Sequence, residues 1–315
     1  MVPPNAHPGD KGKKAALFQV AICLAWVLFA VCQVKAEGQT IPSDSLYPIL
    51  KDIQYGFTLR NKTNRLVKEA RFWTTSPVKR TSTQKCLTLE VSHPYRLIED
   101  DLGNQILCFR FENFAPHGIK QITISARLGF TDRPNPVPLN KDGRFLRPEP
   151  TIESDHPEIR RLAEKLAAST PQETAEKIFR WVAGSILYAG YLREPLGALY
   201  ALQNRQGDCT EYMALFTALC RANGIPARGL GGYVLQESGK VAPASYHNWA
   251  EFYQRGVWNI SDPQRKIFMK NPSQYLAMRI IGRSSSSPMG DARRFRSSQE
   301  DIEVKMISTR GFEGI

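Results

Sequence analysis

Between residues 55 and 128 apolar and polar positions alternate with a period of two in four short runs, "YGFTLRN", "QKCLTLEVSH", "NQILCFRFENF" and "KQITISARLGF". That period puts every second side chain on one face, so each run reads as a half-buried strand, and the spacing predicts an antiparallel sandwich. In the second run Leu87, Leu89 and Val91 share a face and Cys86 takes the other; in the third Leu107, Phe109 and Phe111 share a face and Cys108 takes the other. If these strands pair, the cysteines could meet as a cross-sheet disulfide; two separate half-buried thiols are the alternative.

Residues 132–150, "DRPNPVPLNKDGRFLRPEP", are proline-rich and aperiodic and are expected to form a linker. Beyond them the period becomes 3.6. A helix is expected over about 157–168, and "TPQETAEKIFRWV" begins a second, with Thr170 as N-cap, Pro171 at the first helical position and Glu173 closing a capping box. In "GDCTEYMALFTALCRANGIPARGLGGYV", residues 207–234, Asp208 caps a third helix, Glu211 returns a bond to the cap, and Asn223, Gly224 and Pro226 end it. "ASYHNWAEFYQRGVWNISDPQ" alternates around a short turn and reads as a hairpin. After residue 283 the chain is polar and reads as a flexible tail, although "DIEVKMIS" alternates well enough for one last strand.

The first 36 residues differ in kind. Lys11, Lys13 and Lys14 precede the apolar run "AALFQVAICLAWVLFAVC", followed by "QVKAEG". Read as residues 20–32, the run is a signal-peptide core with Val34 and Ala36 before a cleavage point; read as 15–34, it is long enough to anchor the chain in a membrane. Either fate places the remainder outside the cytoplasm, in the periplasm or beyond. The expected organisation is therefore a leader or anchor at 1–36, a β-rich domain at 37–131, the linker at 132–150, a helix-containing domain at 151–282 and the tail at 283–315.

Composition changes this picture little. The chain has 315 residues, a net charge of +12 and 23% charged residues, within the globular range. Its basic residues are scattered and carry no aromatic-basic motif, so nucleic acid is not an expected partner. No pair of histidines or cysteines has metal-ligand spacing, and no metal or other cofactor is expected.

The chemistry rests on Cys209. As the first helical residue it opens the apolar stripe of Tyr212, Leu215, Phe216 and Leu219, at a helix end whose free amides favour a thiolate. Asp208 and Glu211 oppose that effect, and a cysteine on an apolar stripe also reads as a buried structural thiol, as Cys220 does. His247 shifts the balance. The other histidines lie in the leader or beside prolines or a glycine, whereas His247 stands in a strand among aromatics. If Tyr253 faces Gly256 across the turn, His247 stands opposite Asp262; a slip of one residue puts Asn248 there instead. An imidazole can remove the thiol proton, and a carboxylate can fix the imidazole tautomer.

These three blocks, "GDCTEYMALFTALCRANGIPARGLGGYV", "HNWAEFY" and "GVWNISDP", resemble the transglutaminase-like superfamily of papain-related thiol enzymes, particularly its bacterial exported members. The resemblance spans about 170–263 and implies Cys209 as nucleophile, His247 as base and Asp262 as orienting acid. It also implies an α+β fold in which helices pack on an antiparallel sheet, here preceded by the all-β sandwich-like domain. Residues 224–228 match the family's turn from the catalytic helix into the sheet. Tyr188 and Gln203 are the candidates for an oxyanion helper. The expected function is cleavage of peptide or protein amide bonds of the cell envelope through a thioester, with glutamine acyl transfer or a catalytically silent binding module as alternatives.

Overall fold

The computed structural model describes residue 1 and residues 45–139, 142–282, 286–290 and 294–307. The leader or anchor expected at 1–36 lies outside the described residues. Among those described, no helix is long and apolar enough to cross a membrane.

Six strands come first: β1 (Ile49–Asn61), β2 (Val67–Thr75), β3 (Gln84–Val91), β4 (Arg96–Glu99), β5 (Gln105–Phe114) and β6 (Ile119–Phe130). Then follow α1 (Pro157–Leu166), α2 (Pro171–Ser185), β7 (Leu187–Tyr188), α3 (Gly197–Asn204), β8 (Gln206–Gly207) and α4 (Cys209–Ala222). The chain continues through β9 (Ala227–Val234), β10 (Gly239–Lys240), β11 (Tyr246–Gln254), β12 (Val257–Asp262), β13 (Ile267–Phe268) and β14 (Tyr275–Ile281). It closes with β15 (Phe295–Ser297) and β16 (Ile302–Met306).

Two sheets form the sandwich. One runs β10-β1-β6-β3 with β16 also on β1, the other β15-β2-β5-β4. Alternation explains the core between them: Tyr55, Phe57 and Leu59 of β1, Ile122, Ile124 and Leu128 of β6, Phe72 of β2 and Leu107 and Phe109 of β5 are all buried there. Each such side chain contributes about 1.5–3 kcal/mol on burial. The C-terminal "DIEVKMIS" supplies β16, antiparallel to β1.

One alternative holds here and one expectation is corrected. The strands bearing Cys86 and Cys108 do not pair: β3 lies on β6 in one sheet and β5 on β2 and β4 in the other, and the cysteines are two separate, half-buried free thiols. A register shift between Cys86 and Thr88 also breaks the alternation in β3, so Cys86 joins Leu89 and Val91 against the core.

The second half is a mixed sheet-and-helix layer. Its antiparallel sheet runs β13-β12-β11-β9-β14, and α4 packs on one face through Met213, Leu215, Phe216 and Leu219 against Ala227, Ala250 and Phe252. On the other face Trp249, Trp258, Ile260 and Tyr275 enclose Phe145, which comes from the proline-rich stretch. That stretch is tied down further where the Val137 amide donates to the Gly256 carbonyl.

The halves share a core. Tyr233, Leu276 and Met278 of the second sheet are buried among the sandwich residues. The Gln84 side chain adds a polar hook: Nε2 donates to the carbonyls of Val78 and Ala277, and Oε1 accepts the Ala277 amide at 2.8 Å. A buried amide with all these bonds made fixes β14 against β3 without a desolvation penalty.

Candidate active site

Cys209 owes its place to the cap of α4. Asp208 Oδ1 accepts the Thr210 amide at 2.7 Å, and Glu211 Oε2 accepts the Asp208 amide at 3.0 Å, completing the box read from the sequence. The two carboxylates do more than cap. Asp208 Oδ2 also takes the Leu192 amide and Glu211 Oε1 the Leu196 amide, so the loop between β7 and α3 is bound to the helix end. Burial pushes the Glu211 carboxyl above the ordinary carboxylate range.

The hairpin of β11 and β12 delivers the other two residues in a register that differs from expectation. The turn is Arg255-Gly256, both with positive φ, as a two-residue hairpin loop with strand-matched twist requires. Gln254 therefore faces Val257 and Ala250 faces Ser261, which leaves His247 two residues out of line with Asp262 rather than directly across. A two-residue shift preserves the face, so the side chains still meet diagonally: His247 Nε2 lies 2.7 Å from Asp262 Oδ2. Asp262 is 1% exposed. Its other oxygen accepts the Arg265 amide at 3.1 Å, and Oδ2 also accepts the Tyr275 hydroxyl at 2.9 Å.

Asn248 joins the hairpin to the helix. Its backbone amide donates to the Cys209 sulfur, and its side-chain Nδ2 donates to Thr210 Oγ1 at 2.9 Å. The sulfur thus meets β11 at the residue next to His247. With Nε2 held by a carboxylate, the imidazole keeps its hydrogen on that side and offers Nδ1 as the acceptor.

Burial and the carboxylates of Asp208 and Asp262 push the Cys209 thiol up to about 11, against the opposing pull of the Asn248 amide and Thr210. Such a thiol ionises little unless a neighbouring base takes its proton. The helix end alone therefore does not make it a nucleophile; proton acceptance by the imidazole can.

Of the other residues singled out, Tyr188 is exposed on β7, whose partner Gly207 lies just before the cap. Gln203 stands elsewhere: its amide donates to Glu158 on α1 at 2.9 Å, in a groove with Arg161, Leu162 and Lys165. Tyr275 and Asn248 carried no signal in the sequence, because their contacts depend on strands brought together by the sheet.

Beside the thiol lies a cleft of about 520 Å³, lined among others by Pro150, Pro195, Thr210, Met213, Asn248 and Arg279. Thr210 and Asn248, which flank the sulfur, belong to its lining, so the cleft lies next to the start of α4, although Cys209 itself does not line it. A floor of Met213 and Ile281 makes it largely apolar, with polar groups at its rim.

The fold is thus α+β, with Cys209 opening a helix and His247 on a strand of the sheet that the helix packs against. Residues 160–263 match the model of the transglutaminase-like superfamily, and this part of the chain is a transglutaminase-like domain. Among solved structures, a candidate cysteine protease from Cytophaga hutchinsonii is similar at 20% identity, over 82% of this chain and 90% of that one, with a TM-score of 0.56. The likeness thus extends well beyond the matched domain and includes β-rich sequence before it. The periplasmic domain of TgpA from Pseudomonas aeruginosa is similar at 16% identity, over 67% of this chain and 88% of that one, with a TM-score of 0.37. No curated protein matches the chain in sequence.

Proposed function

We propose that the protein is an exported thiol enzyme, a peptidase or amidase that opens a peptide or protein amide bond through a thioester. The observation that carries this reading is the 2.7 Å contact between His247 Nε2 and Asp262 Oδ2 next to the residue whose amide binds the Cys209 sulfur. Nδ1 takes the thiol proton, and the sulfur attacks the substrate carbonyl carbon in the cleft. The tetrahedral oxyanion receives the backbone amide of Cys209 at the unpaired end of α4, with the exposed Tyr188 hydroxyl as a second donor. The C–N bond breaks as the imidazolium gives its proton to the departing amine, leaving the thioester. Water, deprotonated by the same imidazole, then releases the acid and restores the thiol. Hydrolysis is preferred to transfer because water is the abundant acyl acceptor. Export rests on the lysine-led apolar leader, and a peptide or protein of the cell envelope is the matching substrate class.

The test uses a thiol-directed acylating probe on the full chain. Wild type should be labelled at Cys209 and Cys209→Ala should not, while both give the same circular dichroism spectrum. Mass spectrometry of material trapped on the enzyme in an envelope extract then identifies the acyl group. Equal labelling of the two proteins would end the proposal.

A further inference from the structure

Tyr275 is a buried hydroxyl that the chemistry above leaves unused. It stands on β14, separated from β12 by β9 and β11 in the sheet order. Its ring crosses that distance on one face, edge to the Trp249 indole at a centroid separation of 5.1 Å. The hydroxyl ends 2.9 Å from Asp262 Oδ2, the same oxygen that holds His247 Nε2. The Arg265 side chain lies beside that hydroxyl, and the Arg265 amide holds the other carboxylate oxygen. Asp262 is thereby fixed from two directions before the imidazole is counted.

We propose that Tyr275 is a positioning residue for the thiol reaction: its hydroxyl holds Asp262 Oδ2 in line with His247 and shares that oxygen's charge, setting how tightly the imidazole keeps its proton. The inference rests on the thiol-enzyme reading and adds a member to its site.

Three observations support it. A phenylalanine would fill the same space against Trp249, so packing alone does not call for a hydroxyl at the end of the ring. A buried hydroxyl is costly without an acceptor, and this one has an acceptor in the site itself. Burial and the neighbouring Asp262 carboxylate hold the phenol well above its usual range, so it stays a neutral donor. A carboxylate oxygen that serves two donors gives less to each. Removing the neutral donor concentrates the charge on the imidazole bond and stabilises the imidazolium. The charged and titratable groups around the pair are Cys209 and Asp208 at the end of α4, Arg265 after β12 and Tyr275 on β14. Only Tyr275 among them can be made apolar while its ring is kept.

The experiment follows the alkylation rate of Cys209 by iodoacetamide against pH in the full chain, read from the Cys209 peptide by mass spectrometry. A thiolate-imidazolium pair gives a reactive plateau with an alkaline limb where the imidazolium loses its proton. In Tyr275→Phe that limb should move up by roughly half to one pH unit, as loss of a hydrogen bond to a charged group implies. A merely structural tyrosine would lower the thermal midpoint and leave the limb in place, and superimposable limbs overturn the proposal. A wild type that reacts as a single ordinary thiol, without a plateau, would instead overturn the underlying thiol-imidazole reading. If Tyr275→Phe loses its cooperative melting, 3-fluorotyrosine at position 275 replaces it. Its more acidic hydroxyl is a stronger donor, so the limb should move down; an unmoved limb again overturns the proposal.

Discussion

His247 Nε2 and Asp262 Oδ2 meet at 2.7 Å although the two residues are not paired across their hairpin. The contact is diagonal, and it survives because both side chains share a face of the sheet. In the proposed reaction Asp262 both dictates which ring nitrogen carries hydrogen and stabilises the imidazolium that forms. Asp262→Asn keeps the shape but can present an amide donor to Nε2, turning the acceptor nitrogen away from the thiol. We expect the acylation rate to fall by about 10³–10⁴-fold with little loss of stability. Single-turnover labelling of Cys209 beside a thermal melt measures both.

Arg228 and Glu251 face each other across β9 and β11, and both side chains are almost fully buried. Arg228 donates from Nε and Nη2 to Glu251 Oε2 at 2.9 and 2.7 Å, and its guanidinium lies 4.0 Å from the Trp258 ring centroid. Replacing one partner strands the other charge in a medium that solvates it poorly. Arg228→Met should cost about 3–5 kcal/mol in urea unfolding, and the double replacement Arg228→Met with Glu251→Leu should recover most of it. A double variant as unstable as the single one would show that the pair is worth more than its burial penalty.

Gly231 and Gly232 occupy adjacent positions on β9 with different neighbours. A Cβ at Gly232 would strike the backbone carbonyl of Leu276 on β14, which cannot retreat without breaking the sheet. A Cβ at Gly231 would strike the Tyr246 hydroxyl and Asn248 Oδ1, the mobile ends of side chains that line the cleft. Gly232→Ala should therefore destabilise the fold by about 1–3 kcal/mol or more, while Gly231→Ala should fold and lose activity. Melting temperature and Cys209 labelling rate, measured together, separate the two outcomes.

Much of the site could be read from the sequence because its parts are local. The cap at Asp208, the box with Glu211 and the stop at Asn223-Gly224 need only neighbouring residues, and the α+β architecture follows from where the period changes from 2 to 3.6. The turn of the hairpin lies one residue later than the alternation suggests, which moves the pairing by an even number of positions and so keeps His247 and Asp262 on one face. Cys86 shows the opposite case. One bulged residue in β3 reversed its face, and bulges leave no mark in an alternating pattern. Strand order is the least local property of all. Nothing in "QKCLTLEVSH" says that its partner is β6 rather than β5, and nothing near Tyr275 points to Asp262, with two strands between them. Gln203 looked close to Cys209 because few residues separate them, but the turn from α3 into β8 sends its amide to α1.

Glu211 gives the fold a pH dependence of definite sign. Its carboxyl is buried and pushed above the ordinary range, first by desolvation, despite the two backbone amides it accepts. The folded state thus binds its proton more tightly than the unfolded chain, whose glutamates titrate near about 4.3. The associated stabilisation is complete below that value and is lost as pH rises through the higher folded value. Glu211→Gln does not titrate, so the stability of wild type relative to the variant should be greatest near pH 4 and decline as pH rises above it. Urea unfolding of both proteins from pH 4 to 8 measures the difference directly. A difference that grows with pH would mean that the amides of Asp208 and Leu196 favour the carboxylate more than burial opposes it, reversing the assignment.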